Sequence, residues 1–98
     1  MKVTKQQAKQ VGKKLGINFQ VYPLEQFQQG MQVELEHGLK CGNVCNVTDN
    51  NLLKTGKIAL AHILEYPDYY QRLEKLEKQA ESYWKGKKIN ILIEKNFI

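Results

Sequence analysis

Glutamate and histidine recur together at helical spacing in two places. In VELEHG, Glu34 and His37 lie three residues apart, so on a helix they share a face. The second histidine, His62, has Glu65 three residues after it in AHILE. Two such helices running antiparallel would bring Glu to Glu and His to His, as in carboxylate-bridged di-metal bundles. The candidate site for a divalent metal is therefore Glu34, His37, His62 and Glu65.

The histidines have two other interpretations. Each one, partly buried and held by its glutamate, could lock helix to helix without metal. His37 and His62 could instead join Cys41 and Cys45 as a zinc tetrad, because zinc accepts two sulfurs and two imidazoles. However, the His-x3-Cys-x3-Cys spacing is not that of a usual zinc knuckle, and the first helix offers no inward glutamate for a di-metal set. We predict a lock without a cofactor and keep a divalent metal as the alternative.

Residues that would support covalent or phosphate chemistry are sparse. Neither cysteine has a histidine at a position typical of an activated thiol, and Ser82 lies among residues of a helix surface. GKK at 86–88 lacks the glycine-rich loop and the following Ser or Thr of a phosphate site. The tyrosines of YPDYY, residues 66–70, could stack on bases or grip a partner, or fill a helix corner and bond through their hydroxyls. The sequence therefore predicts a protein that is not an enzyme.

The formal charge of +5 raises the question of nucleic-acid binding. Of the 15 basic residues only Arg72 is arginine, whereas base readout and bidentate phosphate contacts favour arginine. Lysine still attracts phosphate, so unspecific DNA binding is an alternative function. The same lysine-rich composition is also typical of an AT-rich genome. The candidate DNA contacts are Lys5, Lys9, Lys13, Lys87 and Lys88.

Hydrophobic periodicity predicts four helices that position these residues. The first starts at Thr4, which forms a capping box with Gln7, and stops at Gly16. The second covers residues 23–38 and contains Gly30, which would permit close contact with a neighbouring element. Its core stripe consists of Leu24, Phe27, Met31 and Leu35.

The second half of the chain carries the other two helices. Thr48 or Asp49 is predicted to cap the third helix, and Pro67 must end it. The fourth helix follows Pro67, with Glu74 and Lys78 paired on its outer side. Its predicted inward residues are Tyr69, Leu73, Leu76, Ala80 and Tyr83.

Two segments alternate apolar and polar residues, which predicts short β-strands at 17–22 and 89–94. A lone strand cannot satisfy its own backbone, so the C-terminal strand must pair within the chain, with another copy or with a partner. The predicted fold class is thus mainly α, a small four-helix domain over 1–88, followed by a strand-like arm over 89–98 (the arm). The candidate interaction residues of the arm are Ile89, Ile91, Ile93 and Phe97.

Two blocks of the sequence, GMQVELEHG and KIALAHILEYPDYY with RLEKLE after it, resemble the pattern of a family of small proteins. Members of that family, whose function is unknown, are met in phages, large DNA viruses and some bacteria. The resemblance covers roughly residues 10–80 and implies no activity, but it implies a viral or phage origin. Cys41 and Cys45 lie where the family pattern asks for no cysteine. The matching residues are Gly30, Glu34, Glu36, His37, Gly38, Thr48, Lys57, His62, Glu65, Pro67, Asp68, Tyr69 and Tyr70.

Compartment and function follow from these observations. No apolar run approaches the roughly 18–20 residues of a membrane span, and the first ten residues lack the apolar centre of a signal peptide. We therefore expect a protein of the cytoplasm, or of a virion, that is not secreted, with Cys41 and Cys45 as free thiols. The predicted function is that of a non-enzymatic structural or interaction protein, such as an accessory virion component. It would bind another copy or another protein through the arm.

Overall fold

The computed structural model describes residues 1–85, which form four α-helices. These are α1 (Lys5–Leu15), α2 (Leu24–Glu34), α3 (Leu52–Glu65) and α4 (Tyr69–Trp84). Two short 3-10 turns, Leu35–His37 and Leu39–Cys41, follow α2. No strand occurs within residues 1–85, so the mainly helical class is confirmed for this part of the chain. The strand predicted at 89–94 lies outside the described residues.

The two ends of α1 are set by the residues that the sequence indicates. The Thr4 side chain accepts a hydrogen bond from the Gln7 backbone N–H at 3.0 Å, and the Gln7 side chain accepts one from the Thr4 N–H at 2.9 Å. Gly16 ends the helix with φ 76°, a left-handed conformation that glycine adopts without steric cost. The capping box and the glycine stop are thus confirmed.

The strand predicted at 17–22 is wrong, because this segment is a turn. The backbone N–H groups of Val21 and Tyr22 both donate to the Asn18 carbonyl at 3.0 Å, and the Asn18 side chain accepts from the Gln20 N–H at 2.9 Å. Asparagine favours such local turns over a strand ladder. Ile17, Phe19 and Tyr22 pack against the core, whereas Val21 is exposed. The centre of the Phe19 ring lies 6.0 Å from that of the Phe27 ring.

The segment between α2 and α3 differs from the prediction at both ends. The α-helix ends at Glu34 and tightens into a 3-10 turn, so Glu34 and His37 do not share an α-helical face. Asn51, not Thr48 or Asp49, caps α3, and its side chain accepts from the Lys54 N–H at 2.9 Å.

The core is formed where α1, α2 and α3 pack around the first turn of α4. Two glycines let the helices approach closely: the ring of Tyr70 lies against Gly30, and Val11 lies against Gly56. The close contact predicted at Gly30 is therefore confirmed. The buried hydrophobic residues are Val3, Ala8, Val11, Phe27, Met31, Leu35, Ala59, Ile63 and Tyr70.

Only the start of α4 joins this core. Tyr70 is buried and Leu73 is partly buried, whereas every residue from Glu74 to Tyr83 is exposed. The prediction that Leu76, Ala80 and Tyr83 face inward is therefore wrong for this structure. A helix of 16 residues is about 24 Å long, and in the described part of the chain α2 and α3 contact only its first turns.

Within residues 1–85, no helix combines the length and the apolar character that crossing a bilayer requires.

Candidate functional site

Three polar side chains from three helices meet beside the core. The Tyr70 hydroxyl donates to Glu34 Oε2 at 2.7 Å. His62 Nδ1 lies 3.1 Å from the Tyr70 oxygen and 3.3 Å from Glu34 Oε2. Because the one hydroxyl hydrogen of Tyr70 goes to Glu34, a hydrogen bond between His62 and Tyr70 requires a hydrogen on Nδ1. This Glu34–Tyr70–His62 cluster ties α2, α3 and α4 together.

The corner between α3 and α4 places Tyr70 in the cluster. Pro67 ends α3, and α4 begins two residues later at Tyr69. Arg72 contacts both sides of Pro67 and so stabilises the corner. Its guanidinium lies 4.0 Å from the centre of the Tyr66 ring, and its Nε donates a hydrogen bond to Asp68 Oδ1 at 2.9 Å. This pairing lowers the pKa of the Asp68 carboxyl, chiefly through the hydrogen bond.

Burial decides the chemistry of the cluster. Glu34 is only 5% exposed and Tyr70 only 1%. Burial raises the pKa of Tyr70 far above its usual range, and the hydrogen bond to the Glu34 carboxylate adds to the effect. The phenol therefore stays protonated and acts as a fixed hydrogen-bond donor. His62 is the one member that reaches solvent, with 30% of its side chain exposed, and its ring stacks 4.4 Å from that of Tyr69.

Two of the four predicted metal ligands lie together in the structure. Glu34 and His62 meet, but His37 and Glu65 are exposed and take no part in the cluster. The expected register is also different, because a glutamate faces a histidine instead of Glu facing Glu. Within residues 1–85, no group of three or more His, Cys, Asp or Glu side chains is placed to hold a metal ion.

The two cysteines are joined by a disulfide bond, so the prediction of free thiols is wrong. Cys41 ends a 3-10 turn, and this brings Cys45 back to it four residues later. A zinc tetrad would need both sulfurs as thiolates, whereas here the two sulfurs are bonded to each other. His37 supports the same loop through its backbone carbonyl, which accepts from the Val47 N–H at 2.6 Å.

The lysines of α1 form an exposed row. Lys5, Lys9 and Lys13 are all exposed, and Lys5 Nζ lies 3.8 Å from Glu25 on α2. Such a surface ion pair contributes little stability. Lys87 and Lys88, the other candidate DNA contacts, lie outside the described residues.

A second feature is the apolar side of α4, which is exposed beyond Leu73 in the described part of the chain. Leu73, Leu76 and Ala80, here named the α4 stripe, follow the spacing of a helix-packing face. Leu76 is 59% exposed and Ala80 is also exposed. One edge of the stripe is acidic. Slight desolvation of the Glu77 carboxyl, and then the charges of neighbouring glutamates, raise its pKa. These neighbours are Glu36, Glu81, Glu34 and Glu74.

Glu34 and His62 are predicted site residues, whereas Tyr70, which joins them, is not among those predicted ligands. Tyr70 was predicted only as one of three tyrosines that could grip a partner or fill a helix corner, and the second use is confirmed. The signal for its role was Gly30, since a glycine inside a helix marks a place where another group approaches closely. The bulky group that approaches there is the ring of Tyr70.

Comparison with known proteins places most of this helical unit in one family. Residues 8–79 match the family described as "Protein of unknown function (DUF5661)". The match includes the three residues of the cluster and the start of the α4 stripe. Searches of curated proteins and of solved structures gave no match.

Proposed function

Since the chain belongs to the DUF5661 family, whose description assigns no activity, we propose a function from the geometry. The protein is a non-enzymatic structural protein that self-associates through α4 and the arm. The observation that carries this proposal is the exposed part of the α4 stripe, Leu76 and Ala80, which precedes a C-terminal segment rich in isoleucine.

The cost of exposing the stripe supports association. Burying one leucine side chain stabilises a protein by about 1.5–3 kcal/mol, and Leu76 is more than half exposed. Exposed apolar residues that occur singly are ordinary, whereas a row at helix-packing spacing is typical of an interface. The charged residues beside the stripe keep the uncovered helix in solution, as on the flanks of a helix that packs in an assembly.

The Glu34–Tyr70–His62 cluster supports the same function by fixing the direction of α4. A helix that leaves the core after its first turn needs a strong anchor there. Tyr70 is that anchor, because its ring fills the space at Gly30 and its hydroxyl bonds a buried carboxylate. In our proposal the cluster is a structural lock and not a catalytic or metal site.

The setting that we propose is an assembly such as a virion, in which this chain is a small accessory component. The lysine-rich, arginine-poor residue usage and the resemblance of the two sequence blocks to proteins of phages and large DNA viruses favour this setting.

Deletion of residues 89–98 tests the proposed function. Sedimentation velocity over a wide concentration range should show a full-length chain that forms oligomers and a shortened chain that is monomeric. Circular dichroism should show that the shortened chain keeps its helices, since the core and the cluster lie within residues 1–85. If the full-length chain is monomeric at every concentration, self-association is not its function.

A further inference from the structure

The positive charge of this protein is concentrated at its N-terminal end. Residues 1–24 contain five lysines and no acidic residue, so this segment alone accounts for the formal net charge of +5. Residues 25–98 contain equal numbers of basic and acidic residues. A general excess of lysine, as an AT-rich genome produces, would be spread along the chain. The charge of the first 24 residues therefore calls for a local explanation.

The structure places four of these lysines on the outward half of α1, here named the α1 face. Each exposed residue of this helix is a lysine or a glutamine. The residues of the α1 face are Lys5, Gln6, Lys9, Gln10, Lys13 and Lys14. With about 3.6 residues per turn, these six side chains cover one continuous half of the helix. The other half carries Ala8 and Val11 and is buried in the core.

The lysines of the α1 face form a regular row beside a groove. Lys5, Lys9 and Lys13 follow each other at steps of about 6 Å along the helix axis. They line a groove of about 530 Å³ together with Gln6, Gln10 and Leu24, so none of its lining residues is acidic. Within residues 1–85, Lys5 alone of this row has an ion-pair partner, an exposed glutamate at 3.8 Å. The charges of Lys9 and Lys13 are thus available to a ligand.

The composition of the α1 face favours nucleic acid over an acidic protein as that ligand. Lysine is depleted from protein–protein interfaces, whose buried centres are rich in aromatic and other apolar side chains. Phosphate and sugar oxygens, in contrast, take contacts from both lysine and glutamine. Arginine, the residue that most often reads guanine, does not occur in α1. These side chains therefore suit the phosphate backbone and not the reading of base sequence.

A membrane surface does not suit the α1 face. A helix that lies on anionic lipid inserts its apolar side below the headgroups. The apolar side of α1 packs on α2 and α3, where Ala8 is fully buried and Val11 is 7% exposed. The α1 face must therefore bind its ligand by charge and hydrogen bonds alone, which a phosphate backbone permits.

We infer that the α1 face binds the phosphate backbone of duplex nucleic acid without sequence preference. Its four lysines neutralise phosphates and release the counterions condensed on them, while Gln6 and Gln10 donate hydrogen bonds to phosphate oxygens. The α1 face lies within residues 1–85 and on a different helix from the α4 stripe. Binding to nucleic acid therefore does not depend on the proposed self-association.

The test is a titration of a short, fluorescently labelled DNA duplex with the full-length chain, followed by anisotropy at several salt concentrations. Each lysine–phosphate contact contributes about −0.9 to the slope of log affinity against log salt concentration. The variant Lys9→Gln, Lys13→Gln should therefore make this slope less steep by about 1.8. At about 50 mM salt it should bind the duplex about 100-fold more weakly than the wild type. Two duplexes of unrelated sequence should bind the wild type equally well.

The matched control is Lys57→Gln, Lys75→Gln, which removes the same charge from exposed positions on α3 and α4. Neither of these lysines lines a groove beside α1. Because salt screens distant charges, this variant should weaken binding less than about threefold and leave the slope unchanged. Circular dichroism should show the wild-type helix content in both variants, since lysine and glutamine have similar helix propensities.

Three results would overturn the inference. The first is an absence of binding to the duplex at about 50 mM salt. The second is an equal loss of affinity in the two variants, since the attraction would then be a property of the net charge and not of the α1 face. The third is polyglutamate binding as tightly as the duplex, because the ligand would then be an acidic protein. A monomeric chain that binds the duplex through Lys9 and Lys13 would uphold the inference and refute the proposed self-association.

Discussion

Replacing Tyr70 with phenylalanine removes one hydroxyl from the Glu34–Tyr70–His62 cluster and keeps the ring that packs on Gly30. The Glu34 carboxylate, 5% exposed, then loses its 2.7 Å hydrogen bond, and among residues 1–85 it keeps the contact with His62 at 3.3 Å. Leaving a buried acceptor without its donor costs about 1–3 kcal/mol, with charged acceptors at the upper end. We expect Tyr70→Phe to destabilise the fold by this amount.

The assay is urea denaturation followed by circular dichroism, with thermal melting beside it. For a domain of this size, a loss of 1–3 kcal/mol lowers Tm by about 5–20 °C. Tyr69→Phe is the matched control, since its ring stacks on His62 and its hydroxyl makes no hydrogen bond within the described residues. That variant should change stability by less than about 0.5 kcal/mol.

A double-mutant cycle with Glu34→Gln measures the coupling directly. Because Tyr70 and Glu34 share one hydrogen bond, the two changes together should cost less than the sum of the single changes. If Tyr70→Phe costs no more than Tyr69→Phe, the hydroxyl does not anchor α4 and the reasoning about the lock is refuted.

Three further predictions concern the same fold. Gly30→Ala should lower the free energy of unfolding, measured by urea denaturation, by about 1–2 kcal/mol. The new methyl group meets the Tyr70 ring, and this strain exceeds the gain in helix propensity. In a Tyr70→Leu background the same change should be neutral or stabilising. Alkaline pH should lower stability, since the unfolded Tyr70 loses its proton above about pH 10 while burial keeps the pKa of the folded phenol higher. Tyr70→Phe should lack this contribution, so the difference in stability between the wild type and the variant should shrink by about 1.4 kcal/mol per pH unit above pH 10. Reduction by dithiothreitol should lower stability by about 2 kcal/mol at most, because Cys41 and Cys45 close a short loop, and a Cys41→Ser, Cys45→Ser variant should not respond to the reductant.

The helices that pack on the core could be predicted from the sequence because their signals are local. Thr4, Gln7 and Gly16 define α1 by capping alone, and Pro67 ends α3 whatever surrounds it. The turn at 17–22 could not be predicted from alternation, since Ile17 and Phe19 look the same in a strand and in a turn that packs on helices. Here the side chain of Asn18 decides for the turn.

The candidate site depended on tertiary contacts that spacing does not contain. Glu34 and His62 were predicted as two halves of separate pairs, and the structure joins them through Tyr70, which lies 36 residues from Glu34. His37 does not lie beside Glu34 in the cluster, because α2 tightens into a 3-10 turn at Leu35. Periodicity predicts the outward side of α4 as a core face, because it shows that a helix face is apolar and does not show what covers that face.

Native mass spectrometry of full-length protein, purified without chelator and without affinity-resin metal, tests self-association through the arm most directly. We expect an oligomer without bound metal, and a monomer when residues 89–98 are removed. A monomer in both cases would contradict it. A monomer with additional mass that EDTA removes would contradict it as well, and would make Glu34 and His62 metal ligands instead of parts of a lock.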